Sequence, residues 1–203
     1  MKKIKSNSKR PIAIIIILLI SLALGFAVDS LWGYIEKETH PNDFKSYVKT
    51  YASEYNVPEY IIFAVSETES GFDKNAESSV GARGLMQMLP STFKWLTGPD
   101  HLGENLGADK LYEPEISIKY GTYYLNYLYK KFDYNWNNVF AAYNAGEGNV
   151  AEWLEDEKYS DGKGNLIKIP FKETENYVKK VNDNIEIYKK LYYKNNEGVT
   201  ENE

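Results

Sequence analysis

The sequence contains no cysteine. That excludes disulfides, cysteine-ligated metals and a lipidated amino-terminal cysteine. The folded part must then be held together by its core alone. Only two histidines occur, His40 and His101, and they stand far apart. No metal cluster is expected from them, and His101 reads as a surface loop residue. Positive charge is scarce beyond the amino terminus. Five of the 24 basic residues (Lys2, Lys3, Lys5, Lys9 and Arg10) fall in the first 28, which hold no acid. Residues 29–203 therefore carry 19 basic against 29 acidic residues, a net of −10. Phosphate contacts need basic surface, so nucleic acid is not an expected partner. Other polyanions would likewise find no dense basic patch. The chain also lacks internal repeats, a dinucleotide or P-loop glycine pattern, and a Gly-x-Ser-x-Gly nucleophile site.

What is present begins with the one long apolar run. Residues 12–28 carry no charge and follow the basic segment 1–11. A basic flank marks the cytoplasmic side, which places the rest of the chain outside. Seventeen residues are at the short end for a spanning helix and longer than the usual signal-peptide core. We read an uncleaved anchor, with a cleaved signal as the alternative, since Gly25-Phe26-Ala27 offers small residues for cleavage. Residues 29–43 read as a juxtamembrane spacer, 44–193 as one folded domain, and 194–203 as a polar, disordered tail.

Inside the domain the apolar spacing is helical. Phe44, Tyr47, Val48, Tyr51, Ala52 and Tyr55 mark a first helix, with Asn42 as its expected cap. Asn56-Val57-Pro58 breaks it, and Pro58 suits the first turn of the next. That next helix carries Ile62, Val65, Ser66 and Glu69 on one face and ends at Gly71. Glu67 lies about 200° away round the helix. A carboxyl at the carboxy-terminal end of an apolar stripe is expected to hold its proton, because burial and the helix terminus both disfavour the anion. Taken alone, such a glutamate more often caps or pairs. Further on, Asp109 is placed to cap a turn, Gly121 to allow close helix packing, and residues 159–168 to form a hairpin-like surface flap.

The residues after Glu69 change that balance. Glu69-Ser70-Gly71-Phe72 is followed by Ser78, nine positions after the glutamate, and by Gly81-Ala82-Arg83-Gly84-Leu85-Met86-Gln87-Met88-Leu89-Pro90. Later come Ala142-Tyr143-Asn144-Ala145-Gly146 and Glu173-Thr174 with Tyr177-Val178. This set resembles the soluble-type lytic transglycosylases, bacterial enzymes of lysozyme-like fold that cut peptidoglycan. Lys74 and Leu89 depart from it, standing where the family usually has Pro and Met. The resemblance covers roughly residues 44–190.

It implies an all-α, lysozyme-like domain behind an amino-terminal transmembrane helix. It also implies cleavage of the β-1,4 bond between N-acetylmuramic acid and N-acetylglucosamine, with a 1,6-anhydro product and no metal or organic cofactor. Glu69 becomes the catalytic acid and base. Ser78, Gln87, Tyr143, Asn144 and Tyr177 become substrate-binding or orienting residues. The tyrosine ring and the asparagine amide of the second motif suit a sugar bearing an N-acetyl group. Two alternatives remain at this stage. One is a hydrolytic muramidase of goose-lysozyme type, with Asp73 or Glu77 positioning a water. The other is a non-catalytic wall-binding protein. Eighteen tyrosines suit a carbohydrate groove but do not choose between them.

Overall fold

The computed structural model describes residues 9–193, with side chains from 12 onward, so the expected disordered tail at 194–203 lies outside the described residues. The chain divides into two compact units, Met1–Pro41 and Asn42–Glu203. Among the described residues the first holds one helix, α1 (Lys9–Thr39). It does not stop at Val28 but runs through most of the expected spacer. Within its span Ile12–Thr39 an 18-residue window reaches a mean hydropathy of 2.8, and its large apolar side chains are exposed. About 20 apolar helical residues cross a bilayer core, so α1 is long and apolar enough to do so.

Among the described residues the regular structure of the second unit is helical apart from isolated bridges: α2 (Lys45–Tyr55), α3 (Glu59–Ser70), α4 (Pro90–Leu96), a 3₁₀ turn (Ala108–Tyr112), α5 (Pro114–Lys131), α6 (Trp136–Ala145), α7 (Glu147–Glu155), α8 (Lys172–Tyr188) and a closing π turn (Lys189–Tyr193). Helix α3 is its centre. Six consecutive residues, Ile61 to Ser66, are buried, so the helix is enclosed on all sides and not along one stripe. It packs on α8, α2 packs on α5, and α6 joins α8, α7 and α5. Phe63 of α3 stacks on Tyr188 of α8 at 5.4 Å between centroids. With no disulfide available, burial of such side chains, about 1.5–3 kcal/mol each, is the main stabilising term.

Helix ends follow the sequence in part. Gly71 closes α3 with φ 59°, and Asn56 closes α2 in the same left-handed region, where Asn and Gly are tolerated. Asn42 does not cap α2. Phe44 occupies the cap position with φ 57° and no side-chain bond, leaving Asn42 two residues too far upstream to reach the first turn. Asp109 is no cap either. Its carboxylate takes the Arg83 guanidinium at 2.9 Å, and that guanidinium also lies over the Tyr112 ring. Asn135 does cap α6, accepting from the N–H groups of Asn137 and Asn138.

Gly121 gives room to a loop and not to a helix: a Cβ there would lie 2.3 Å from Met86 Sδ. The 159–168 flap is pinned. Asn138 donates to Gly164 O at 2.8 Å, and Asn135 donates to Asn165 Oδ1 at 2.8 Å. His101 is half-buried among Trp95, Tyr123 and Tyr127, with Nδ1 at 3.1 Å from the Tyr123 hydroxyl. It is not the plain surface residue the loop composition suggests.

Candidate active site

The site is assembled at the carboxy-terminal end of α3. Helix α8 is tied to α3 by a ladder of polar contacts running in opposite directions along the two. Tyr177 donates to Glu69 Oε1 at 2.6 Å, Asn184 to Thr68 Oγ1 at 3.0 Å, and Tyr188 to Glu67 Oε2 at 3.5 Å. Below them Tyr193 donates to Glu59 Oε2 at 2.9 Å. A one-residue slip would turn Tyr177 by about 100°, so this ladder fixes its register on Glu69. It also accounts for Glu67, which faces Tyr188.

The segment 81–90 is folded against this end. Arg83 and Met88 exchange both backbone hydrogen bonds, at 3.0 and 3.1 Å. Gly84 has φ 75°, and a Cβ there would lie 1.9 Å from Leu111 O, so no other residue fits. Ser70 donates to Leu85 O at 2.8 Å, and Met86 N–H donates to Ser117 Oγ at 3.1 Å. Tyr143 donates to Met86 O at 2.8 Å. One short loop is thus bound to α3, α5 and α6 together.

A cavity of about 180 Å³ opens here, lined by Gln87, Met88, Leu89, Thr92, Tyr124, Tyr143, Asn144, Ala145 and Gly146. Gln87 holds φ 44°, and its Nε2 donates to Ala76 O and Gly84 O, both at 3.0 Å, leaving the amide oxygen for a ligand. Asn144 Oδ1 accepts from Thr174 Oγ1 at 2.7 Å, which leaves its NH₂ for a ligand. Ser78 stands apart. Its Oγ accepts the Ala82 N–H at 3.0 Å, closing the 78–82 turn, and it does not line the cavity.

Electrostatics distinguish Glu69 from the other acids. Burial pushes its carboxyl up to about 7, against smaller lowering by the Tyr177 hydrogen bond and the Lys180 ammonium. Its carboxyl therefore keeps its proton to higher pH than an ordinary carboxyl does. Burial first, and then the nearby Glu69 charge, raise both Tyr143 and Tyr177 well above the usual phenol range, so both remain donors. No carboxylate is among the groups that shift Glu69. Asp73 accepts Asn75 N–H at 2.9 Å. Glu77 accepts the Tyr112 hydroxyl at 2.7 Å and pairs with Arg83, and the Tyr112 bond leads in holding it below the usual carboxylate range.

The profile of the transglycosylase SLT domain matches residues 46–166. The chain belongs to this family. The match ends before α8, so it does not include Tyr177. Relatives include the soluble lytic murein transglycosylase of Escherichia coli K12, 36% identical over 152 residues, covering 74% of this chain and 23% of that protein. The membrane-bound lytic murein transglycosylase C of Edwardsiella ictaluri is 27% identical over 191 residues, covering 78% of this chain and 49% of that one. Among solved structures, the 70 kDa soluble lytic transglycosylase of E. coli superposes with a TM-score of 0.68 at 33% identity, over 76% of this chain and 25% of that one. Its complex with bulgecin A gives 0.70 at 33% identity over the same shares. The fold of the second unit is accordingly the all-α, lysozyme-like fold of these enzymes. The chain spans about a quarter of the length of the soluble relatives.

Sequence reasoning named Glu69, Gln87, Tyr143, Asn144 and Tyr177: Glu69 and Tyr177 meet at the end of α3, and Gln87, Tyr143 and Asn144 line the cavity. It passed over Tyr124, which lines the cavity beside Tyr143, and Ser70, Ser117 and Thr174, which position others. Tyr124 was hidden among Tyr120, Tyr123 and Tyr127, all helically spaced. Thr174 stood inside a motif already quoted, next to Glu173.

Proposed function

We propose that the chain is a peptidoglycan lytic transglycosylase that uses Glu69 as its only acid and base. The observation that carries this is the Glu69–Tyr177 pair: a carboxyl held near neutral pKa by burial, with one oxygen accepting from a fixed phenol. Tyr177 on Oε1 leaves Oε2 to carry the proton. Oε2–H protonates the glycosidic oxygen, the bond from the muramic C1 breaks, and the N-acetylglucosamine leaves with its hydroxyl restored. The muramic N-acetyl group stabilises the oxocarbenium-like centre. Glu69, now a carboxylate, takes the proton of the muramic C6 hydroxyl as that oxygen bonds to C1. The 1,6-anhydro ring forms, water is not consumed, and Glu69 ends protonated as it began.

Two-carboxylate glycosidases need a second acid across the bond. Here Asp73 and Glu77 are engaged elsewhere, which favours the single-residue route over hydrolysis. The cavity supplies a ring face from Tyr143, an acceptor from Gln87 and a donor from Asn144 for an N-acetyl sugar. Helix α1 would hold the domain at the membrane, outside the cytoplasm. Mass analysis of products from purified peptidoglycan tests the reading. Anhydromuramic ends support it, and products heavier by one water would replace it with a muramidase.

A further inference from the structure

Two rows of side chains run away from the cavity. On the α4 side, Leu89, Thr92 and Trp95 follow one another at spacings of three, and on α5 Tyr124 and Tyr127 do the same. Leu89, Thr92 and Tyr124 line the cavity. Trp95 and Tyr127 stand one turn farther on, and residues three apart share a helix face.

The rings form a continuous chain. Tyr124 lies 5.5 Å from Tyr143 in the cavity, 6.2 Å from Tyr127 and 6.4 Å from Trp95, centroid to centroid. Trp95 is held at steep angles by three neighbours: 71° to His101 at 4.2 Å, 82° to Tyr127 at 5.1 Å, and 89° to Tyr124. His101 is in turn held by the Tyr123 hydroxyl. Yet Trp95 remains 40% exposed. An indole fixed on several sides and open on another is already ordered for stacking, so binding there loses little side-chain entropy.

We propose that Trp95 is the platform of an additional sugar subsite, one helical turn beyond the cavity, for a further hexosamine of the same glycan strand. This rests on the glycan-cleaving reading above. The apolar C–H face of a pyranose covers the indole while its hydroxyls stay in water. The occupant is the strand itself because contacting rings lead from Tyr143 in the cavity through Tyr124 to Trp95. The subsite makes the protein sensitive to strand length.

The test uses the full chain in detergent, carrying Glu69→Gln so that the ligand persists, with calorimetric titration of peptide-free glycan strands of increasing length. Affinity should rise when the strand becomes long enough to reach Trp95. Adding Trp95→Leu should remove that rise, weakening long strands about three- to tenfold and leaving the shortest binding strands unchanged. Trp95→Phe, which keeps a ring face, should restore most of the rise, and melting curves of all three should agree. Undiminished binding of long strands by Trp95→Leu overturns the subsite and leaves the cavity reading standing. Equal weakening of short and long strands, or a lowered melting temperature, makes Trp95 structural and also overturns it. If the Glu69→Gln chain binds no strand of any length, the glycan reading itself fails and the subsite with it.

Discussion

Tyr177 donates its hydroxyl to Glu69 Oε1 at 2.6 Å, although 108 positions separate the two in sequence. The bond joins the last long helix to the end of the central one. Tyr177→Phe keeps the ring and its packing and removes only this donor. A hydrogen bond to a charged group contributes about 1.5–3 kcal/mol. If the bond acts in the transition state, kcat should fall roughly ten- to hundredfold with KM little changed. Steady-state kinetics on defined glycan strands measures both. A raised KM at constant kcat would make Tyr177 a ground-state binding residue.

Glu69→Gln should abolish wall lysis while circular dichroism stays that of the parent. The amide has nearly the same shape but cannot give and recover a proton. Glu67→Gln should keep most activity, because Glu67 faces Tyr188. A zymogram of both variants decides. Activity surviving in the first and lost in the second would move the catalytic assignment.

The raised Glu69 carboxyl also predicts two pH effects. Activity needs the protonated acid, so kcat/KM should fall as pH rises through about 7. Stability has the same sign. The native state holds this proton up to about pH 7, whereas the ordinary value for a glutamate is 4.5. The folded protein therefore binds more protons between those values, and stability falls as pH rises across that window. Its ceiling is about 3 kcal/mol, reduced by the solvent reaching the partly open carboxyl. Glu69→Gln should melt higher than the parent at pH 8 and nearly level with it at pH 4. Parallel melting curves across the whole range would mean that Glu69 titrates normally.

Gly84→Ala and Gly81→Ala form a discriminating pair. Both glycines have positive φ, 75° and 80°. At Gly81 the added Cβ meets nothing within 4 Å, so only backbone strain applies, about 1 kcal/mol. At Gly84 it strikes the Leu111 carbonyl, so the loss should exceed about 3 kcal/mol or displace the 108–112 turn. Urea unfolding of the two variants gives the comparison. Equal midpoints would show that the 81–90 loop yields easily.

Residues 42–203 should fold and remain soluble without α1, since they form a compact unit with its own core. Size exclusion and circular dichroism of this fragment check it. An aggregated or unfolded fragment would make α1 part of the fold.

Much of this was legible in one dimension. The charge-free run, the helical spacing of apolar residues and the glycine that ends α3 act locally, through backbone conformation and burial periodicity. They therefore marked the long helix, the helical domain and the place of Glu69 at a helix end. The contiguous motif residues likewise pointed to Gln87, Tyr143 and Asn144. Sequence alone could not decide what each side chain would meet. That Asp109 would take Arg83 and not cap its turn, that Gly121 would admit Met86, and that Ser78 would close a turn outside the cavity all depend on segments far apart in the chain. Trp95 shows the same limit: its composition and spacing are ordinary, and only the packing of α4 on α5 sets it in line with Tyr124 and Tyr143. Glu69's proton is the plainest case. A helix end suggests a raised pKa, but burial beside Tyr177 exists only after α8 folds back on α3, because desolvation is a property of three-dimensional surroundings.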